Sequence, residues 1–541
     1  MKKFSFLFSL LLFFFSGSTF AQWSQNPGAP TRVCTVNSNQ KNPISIPDGQ
    51  GGIYVFWEDN RSASPTGGNS LLFAQHFSAD GTRLLPDTGK LIRTKFSGIL
   101  ETNSYGISRD RQGNFWITYA ALNQTYDSLV ACKFDQNTLD PIWARPKAFL
   151  TKGPNFTPIY MLETRHIPDA DTLIVTWYST WIGGSNVLGW NRLKPDGTPM
   201  LPQNTRFNAG GGPYEMLPNP SGGFYIVQRN GNGSGSGVTA RRIDKKGVVA
   251  WGPQSLTTGT PGLSYDFKVQ ADGSGGIIMV YVSNADLMAT RWDSTGQAVW
   301  TPAHKPVCTY SSNQDLPKLV YNNGYWYVVF VDNRLQTNST YMQKIDLNGN
   351  RMWNPNGRLV FAAGVYLCTP KILLVENQNM IVTTITLNEG FIGQKIRPDS
   401  SFAWSPTGRI IATSSSEMPG SGQYTLTTGP GGVAFPVWVG SFGRKLYISS
   451  LDTNGFIPTS ANEIITGENQ VVAYPNPGQD KVTLKNLFVI GSRIKLHALN
   501  GKTFTLPFEN EEDGISIRIA SLPPGLYHLQ EGKIRVRILK R

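Results

Sequence analysis

The sequence predicts an all-β protein made of eight repeats of a four-stranded sheet, followed by a smaller β domain. Three observations predict it. Charged residues are 16% of the chain, against about 25% in ordinary globular proteins, while Gly (56), Pro (35) and aromatic residues (11%) are abundant. That mixture suits many short strands and turns. No long segment spaces apolar residues at i, i+3, i+4 and i+7, as an amphipathic helix requires. A short pattern also recurs: Asp244-Lys-Lys-Gly247 precedes Trp251, Asp293-Ser-Thr-Gly296 precedes Trp300, and Asp346-Leu-Asn-Gly349 precedes Trp353.

These D-x-x-G-x-x-x-W copies lie about 50 residues apart, and weaker copies extend them in both directions. Asp80-Gly81 leads to Leu85, Asp196-Gly197 to Leu201, and Asp399-Ser400 to Trp404; Asp135 leads to Trp143 with one extra residue, and Asn454-Gly455 ends the series. Eight units therefore fill residues 42–457. In one unit, Pro317–Tyr321 reads as a short strand and Asn322-Asn323-Gly324 as a turn. Tyr325–Val331 is a second strand, rich in aromatic and β-branched residues. A loop follows at 332–339, then a third strand at Thr340–Asp346, a turn at Leu347-Asn348-Gly349, and a fourth strand around Trp353. Gly51-Gly52, Gly222-Gly223, Gly275-Gly276 and Gly431-Gly432 mark the first turn elsewhere, where hairpins favour φ > 0.

Four antiparallel strands per repeat, eight times over, predict an eight-bladed β-propeller. A string of β-sandwiches is the competing arrangement, but sandwich domains run near 100 residues. The last unit lacks its tryptophan. Gln22-Trp23-Ser24-Gln25-Asn26-Pro27, however, resembles Ala403-Trp404-Ser405-Pro406 and Met352-Trp353-Asn354-Pro355. Residues from Trp23 to about Cys34 are therefore expected to supply the fourth strand of the last blade and leave no open edge.

The formal charge of +13 is spread along the chain with no run of five or six Lys or Arg. Without a basic cluster interleaved with stacking aromatics, nucleic acid is not an expected partner. Cys34, Cys132, Cys308 and Cys368 are too widely spaced for a CxxC motif, and are read as buried thiols or as disulfides of undetermined pairing. His76, His166 and His304 show no HxxxH or HxH spacing, so neither metal nor cofactor is expected. No GxSxG elbow or phosphate-binding loop has its required setting, and no Asp/Glu pair stands out as acid and nucleophile.

The spacing of the repeat differs from the Asp-box of sialidases, and Gly51-Gly52 runs directly into Ile53–Trp57, unlike a kelch repeat. The aspartates are read as turn formers and the tryptophans as packing between blades. Asp59-Asn60-Arg61 and Asp332-Asn333-Arg334 recur where the second strand meets its loop. Asp59, Arg61, Asp332 and Arg334 are candidates for a ligand rim, although such a pair more often caps a turn and makes an exposed ion pair. Tyr178 and Trp181 are candidates for an aromatic platform that stacks on sugar rings.

The two ends carry a different kind of information. Lys2 and Lys3, the apolar run Phe4–Phe15, and Ser16–Ala21 have the order of a secretory signal peptide cut after Ala21. The run of about 12 apolar residues is short of the roughly 20 that span a bilayer. At the other end stand Tyr474-Pro475-Asn476-Pro477, then Gly501-Lys502, then Leu522-Pro523-Pro524-Gly525-Leu526-Tyr527, then a basic strand to Arg541. This segment, residues 470–541, resembles the type A C-terminal sorting domain of the type IX secretion system of Bacteroidota. The resemblance implies a small β-sandwich, recognition by the outer-membrane secretion machinery and its sortase, and removal in the linker 459–469. It also implies surface or secreted localisation, with attachment to lipopolysaccharide as one outcome. The matching positions are Tyr474, Pro475, Asn476, Pro477, Gly501, Lys502, Gly525 and Tyr527.

The expected organisation is a signal peptide (1–21), a propeller (22–458), a linker (459–469) and a sorting domain (470–541). For the propeller the expected role is non-catalytic binding of a glycan or protein. The alternative is a carbohydrate-active hydrolase or lyase with its site in the channel.

Overall fold

The computed structural model describes residues 23–540 except 25, 62–68, 98–104, 123–126, 152–155, 168–170, 182–185, 203–204, 210–213, 220–221, 231–236, 258–262, 363–368, 387–389, 406, 414–417, 442–443, 452–464, 467–471, 475–479, 486, 489–492, 499–502, 512–513 and 532–533. The signal-peptide residues, Cys368 and the motif residues Pro475, Asn476, Pro477, Gly501 and Lys502 lie outside that set. The chain divides into two compact units, one of which is Trp23–Ile457 and the other of which contains the C-terminal residues.

The first unit holds eight four-stranded antiparallel sheets. Their first strands are Gln40–Pro47, Tyr105–Arg109, Phe156–Ile167, Tyr214–Pro218, Leu263–Ala271, Gln314–Asn322, Lys371–Leu374 and Pro419–Thr428, in sheets 1 to 8. The second strands, such as Ile53–Asp59, Ile277–Ser283, Met380–Thr386 and Ala434–Gly440, are buried along their whole length. Sequences such as Ile277-Ile-Met-Val-Tyr-Val282 are apolar without alternation because both faces of these strands pack against neighbouring sheets.

Eight sheets share eight separate hydrophobic cores, one at each interface. Trp326, Val328 and Phe330 of sheet 6 meet Ile278, Val280 and Val282 of sheet 5. On its other face Tyr327 and Val329 meet Met380 and Val382 of sheet 7. Ile53, Val55 and Trp57 of sheet 1 meet Phe435, Val437 and Val439 of sheet 8. An open row of eight sheets has seven interfaces; eight require a closed ring. The arrangement is consistent with an eight-bladed β-propeller whose first strands surround the axis.

The seam joins the two ends of this unit. Thr31–Arg32 pairs with Ile448 and Tyr447, forming the fourth strand of sheet 8. Val33 N–H then donates to Leu446 O, and Leu446 N–H to the Gln40 side chain of sheet 1. Trp23 is fully buried beside Phe77 and Phe435.

The repeated motif is a single device for joining blades. Asp293 Oδ1 accepts N–H bonds from Thr295 and Gln297, and Asp346 Oδ1 from Asn348 and Asn350, so each aspartate ties its own turn. The tryptophan reaches the turn of the following sheet. Trp251 Nε1–H donates to Ser294 O at 2.9 Å, Trp300 Nε1–H to Leu347 O at 3.0 Å, and Trp23 Nε1–H to Ala79 O at 2.9 Å. Each acceptor stands two residues before the turn glycine. At Gly349 (φ +80°) a Cβ would lie 3.1 Å from the Trp300 ring, and at Gly81 (φ +89°) 2.9 Å from Trp23. The glycine supplies both the left-handed backbone and the flat place on which the neighbouring indole rests.

The C-terminal unit holds a seven-stranded sheet in the order Val472–Tyr474, Lys481–Lys485, Gly514–Arg518, Thr503–Glu511, Arg493–Ala498, Gly525–Glu531, Ile534–Lys540. Thr503–Glu511 pairs with Arg493–Ala498 through its first half and with Gly514–Arg518 through its second. Val482, Leu484, Ile515 and Ile517 from one half share a core with Ile494, Leu496 and Tyr527 from the other. Tyr527 is buried there and its hydroxyl donates to Pro523 O at 2.7 Å. Tyr474 ends one edge strand, opposite Thr483, and Gly525 begins the strand next to the other edge, opposite Lys540.

Trp23→Ala should cost about 3–5 kcal/mol, the usual loss for a buried aromatic. Backbone hydrogen exchange should then rise first in sheets 8 and 1, and a uniform rise over all eight blades would contradict the role of Trp23 at the seam.

Candidate functional site

Asp59 and Arg61 are brought together, and so are Asp332 and Arg334, but as braces between blades. Both aspartates are fully buried. Arg61 Nη2 lies 2.7 Å from Asp59 Oδ2, and Arg334 Nη2 lies 2.6 Å from Asp332 Oδ2. The arginine N–H groups also close the turn on the same carboxylates, each at 2.8 Å. The Arg61 guanidinium stacks on Phe73 at 3.7 Å, and that of Arg334 lies over Tyr341 at 4.0 Å and Tyr310 at 4.4 Å.

The two braces share further partners. The Gln40 amide donates to Asp59, and the Gln314 amide to Asp332, at 3.3 and 3.2 Å. Cys34 and Cys308 are free buried thiols beside the guanidinium groups, with Arg334 Nη2 at 3.2 Å from Cys308 Sγ. Cys132 is also buried, with its Sγ 3.7 Å from the Tyr119 hydroxyl. The sequence Cys34-Thr-Val-Asn-Ser-Asn-Gln40 recurs as Cys308-Thr-Tyr-Ser-Ser-Asn-Gln314, a signal that sequence reading missed. Burial alone would raise the Asp332 carboxyl; the bonds from Arg334 and Ser312 outweigh it and hold it below the usual range. Burial raises the Cys308 thiol, which stays protonated.

Tyr178 is half-buried and packs against the core shared by sheets 3 and 4. Trp181 ends the strand Thr172–Trp181, and its side chain lies outside the described set. His76 bonds Asp48 at 3.0 Å and stacks on Tyr54, while His166 bonds Asp171 at 2.9 Å, each within its own blade. Among the described residues, no three His, Cys, Asp or Glu side chains are grouped to hold a metal.

The chemistry-bearing groups that the structure does collect lie on the first strands. Pairing with the second strand defines one equivalent position in every blade. It is Ile44 (opposite Phe56), Gly106 (Thr118), Glu163 (Thr176), Glu215 (Val227), Lys268 (Val280), Lys318 (Val329), Lys371 (Thr383) and Thr425 (Val437). Charge is therefore segregated around this ring. Blades 3 and 4 present carboxylates, blades 5 to 7 present lysines, and blades 8, 1 and 2 are uncharged.

Several of these side chains reach the next blade. Glu215 accepts from Lys268 Nζ at 2.9 Å and from Val269 N–H at 3.3 Å. Lys371 Nζ donates to Tyr424 O. Ser45 of blade 1 bonds the hydroxyls of Thr425 and Thr427 at 2.9 and 2.6 Å.

Beside the lysines lies a carboxyl pair that the sequence reading did not single out. Asp266 occupies a bulge in its strand, between the paired residues Leu263 and Phe267, and hydrogen-bonds Asp315 of the next blade. Burial, then the bond and charge of Asp315, push its carboxyl up to about 7, so Asp266 keeps part of its proton near neutrality. Burial also raises Glu163. Lys371 is pushed down to about 8 by burial and then by the charges of Lys318 and Lys268.

No known family profile and no curated protein sequence matches the chain. Solved structures show a distant likeness at 10–13% identity. For a puromycin hydrolase, 77% of this chain and 62% of that one align with a TM-score of 0.41. For prolyl oligopeptidase B from Galerina marginata the figures are 75%, 55% and 0.40, and for the polysaccharide lyase Uly1 they are 62%, 94% and 0.32. The chain thus spans less than two thirds of the puromycin hydrolase and of the prolyl oligopeptidase.

Asp332→Ala should cost about 3–5 kcal/mol in chemical denaturation, because Arg334 is then left buried without its partner. Asp332 has a depressed pKa, so its contribution is present above the ordinary carboxylate value of about 3.9 and is lost as pH falls through the folded value. The stability gap between wild type and Asp332→Asn should accordingly close in acid and stay constant from pH 6 to 8.

Proposed function

We propose that this protein is an exported cell-surface or secreted propeller that binds a glycan at the polar ring of its first strands. The observation that carries the reading is the charge-segregated ring from Glu163 to Thr425, where carboxylates, ammonium groups and hydroxyls of six consecutive blades converge. Sugars are recognised by such fixed polar groups, and blade-to-blade packing holds these rigid. The rim pairs Asp59–Arg61 and Asp332–Arg334 support this indirectly, since they lock blades together without being open to a ligand.

A hydrolase or lyase is the second reading, and the Asp266–Asp315 pair favours it. A carboxyl that keeps its proton near pH 7 is what a general acid requires. The mature protein should be applied to a glycan array and any bound glycan analysed for products. Binding without turnover is the expected result. Cleavage abolished by Asp266→Asn would transfer the assignment to the second reading. Absence of any glycan signal would overturn both and leave a protein partner.

Export follows from the two ends of the sequence. The segment 470–541 is proposed to be the type IX sorting domain, with lipopolysaccharide attachment as one fate of the mature protein. A compact C-terminal unit with Tyr527 in its core supports this. In a cell with that secretion system, a chain truncated after residue 469 should accumulate in the periplasm. Unchanged surface delivery would refute the assignment.

A further inference from the structure

We propose that the lysine side of the ring, Lys318 and Lys371 backed by Lys268, binds the anionic group of an acidic glycan, a carboxylate or a sulfate. This deepens the glycan-binding reading above and rests on it. The three lysines occupy the same register position on three consecutive blades, opposite Val280, Val329 and Thr383, so their ammonium groups form one row.

The row carries more positive charge than its neighbours offset. Glu215 is bound to Lys268 at 2.9 Å, and Glu163 lies 3.9 Å from Arg165. Asp266, hydrogen-bonded to Asp315 and with its carboxyl pushed up to about 7, offers Lys318 and Arg229 only part of a negative charge near neutrality. Among the described residues, no carboxylate offsets Lys371: its neighbouring charges are Lys318 and Lys268, and its polar partner is the neutral carbonyl of Tyr424. A buried ammonium group surrounded by like charge is stabilised by any anion that reaches it.

What lies next to the row suits a sugar. The Thr425 and Thr427 hydroxyls of blade 8 and Ser45 of blade 1 continue the ring as donors and acceptors. The Tyr424 ring, 4.6 Å from Lys371 Nζ, is buried in the core between blades 7 and 8 and backs the ammonium group from inside. The carboxylates Glu163 and Glu215 of blades 3 and 4 lie at the Lys268 end of the row, away from Lys371, and would repel a second anion there, which fixes the orientation of a ligand that has one charged and one neutral end.

Calorimetric titration of the mature protein tests this with three probes: an oligogalacturonate, a sulfated galactan oligomer and a neutral galactan oligomer. Binding of one or both acidic probes is expected, and which of them binds identifies the group. Lys371→Gln should weaken that binding roughly tenfold or more, as loss of one charge-assisted hydrogen bond would, and Lys371→Arg should largely restore it. Affinity should also fall as pH rises from 6 to 9. Asp266, faced by Asp315, Lys318 and Arg229, loses its proton near 7, and Lys371, faced by Lys318 and Lys268, loses its own near 8. Equal binding by wild type and by both Lys318→Gln and Lys371→Gln would overturn the anion site, as would binding of the neutral probe alone, and either result would leave the glycan reading standing. No binding of any probe, together with an empty glycan array, would remove both.

Discussion

Every sheet in the first unit has two apolar faces and can bury neither by itself. That constraint determines the rest. Stacking covers both faces of every second strand, and only a ring leaves no face over. The ring in turn needs a repeated contact that sets the pitch between blades. The Asp-bound turn provides it: its glycine leaves room for the indole of the preceding blade, and its backbone carbonyl takes the indole N–H. Where tryptophan is absent, as at Leu201, the leucine occupies the same place against Gly247. The contact tolerates a change of side chain, and in sheet 7 Ser400 (φ +72°) takes the place of the turn glycine.

The ring must also be closed by a chain with two ends. Thr31–Arg32 contributes only two residues of strand to sheet 8, too little to hold a seam by ladder bonds alone. The buried indole of Trp23, the Gln40 side chain and the Asp59–Arg61 brace supplement them. The brace recurs, with equivalent glutamine, cysteine and serine, between sheets 5 and 6, where no chain end is present. It is therefore a general means of fastening one outer strand to the next blade. A buried ion pair contributes little net stability against an apolar replacement, but it enforces one arrangement of its partners. Registry between blades is what these two sites supply.

Much of this was legible in the residues. The spacing of D-x-x-G-x-x-x-W predicted the number of sheets, the turn aspartates and the tryptophans between blades, because all are local consequences of one hairpin. The likeness of Trp23 to Trp353 and Trp404 pointed to the strand from the N-terminal side. The meaning of Asp59-Asn60-Arg61 was not legible. A charged pair at a strand end reads as exposed until Gln40 and Cys34, brought in from another strand and another blade, are seen to cover it. The axial ring was still less accessible. Its members are separated by about 50 residues, and no one residue type is common to all eight. Turn length also shifts them: Lys268 stands nine residues before Ile277, whereas Lys318 stands eight before its equivalent, Trp326, because the connection from 271 to 277 is one residue longer than that from 321 to 326. Only strand pairing shows that they occupy one position.

The two edges of each blade are thus under different demands. At the outer turns the aspartate is committed to its own turn and the glycine and tryptophan to the contact between blades, which is why the pattern repeats there and can be read. At the axis the backbone is already satisfied by the second strand, so the side chain at each ring position can vary without loosening the ring. Glu, Glu, Lys, Lys, Lys, Thr, Ile and Gly at equivalent places are the expected result of that freedom. If packing alone determined these positions, their residue types would converge as the tryptophans do. Their divergence into an acidic arc and a basic arc, with hydroxyls beyond the lysines, is an asymmetry that the near-eightfold scaffold does not require.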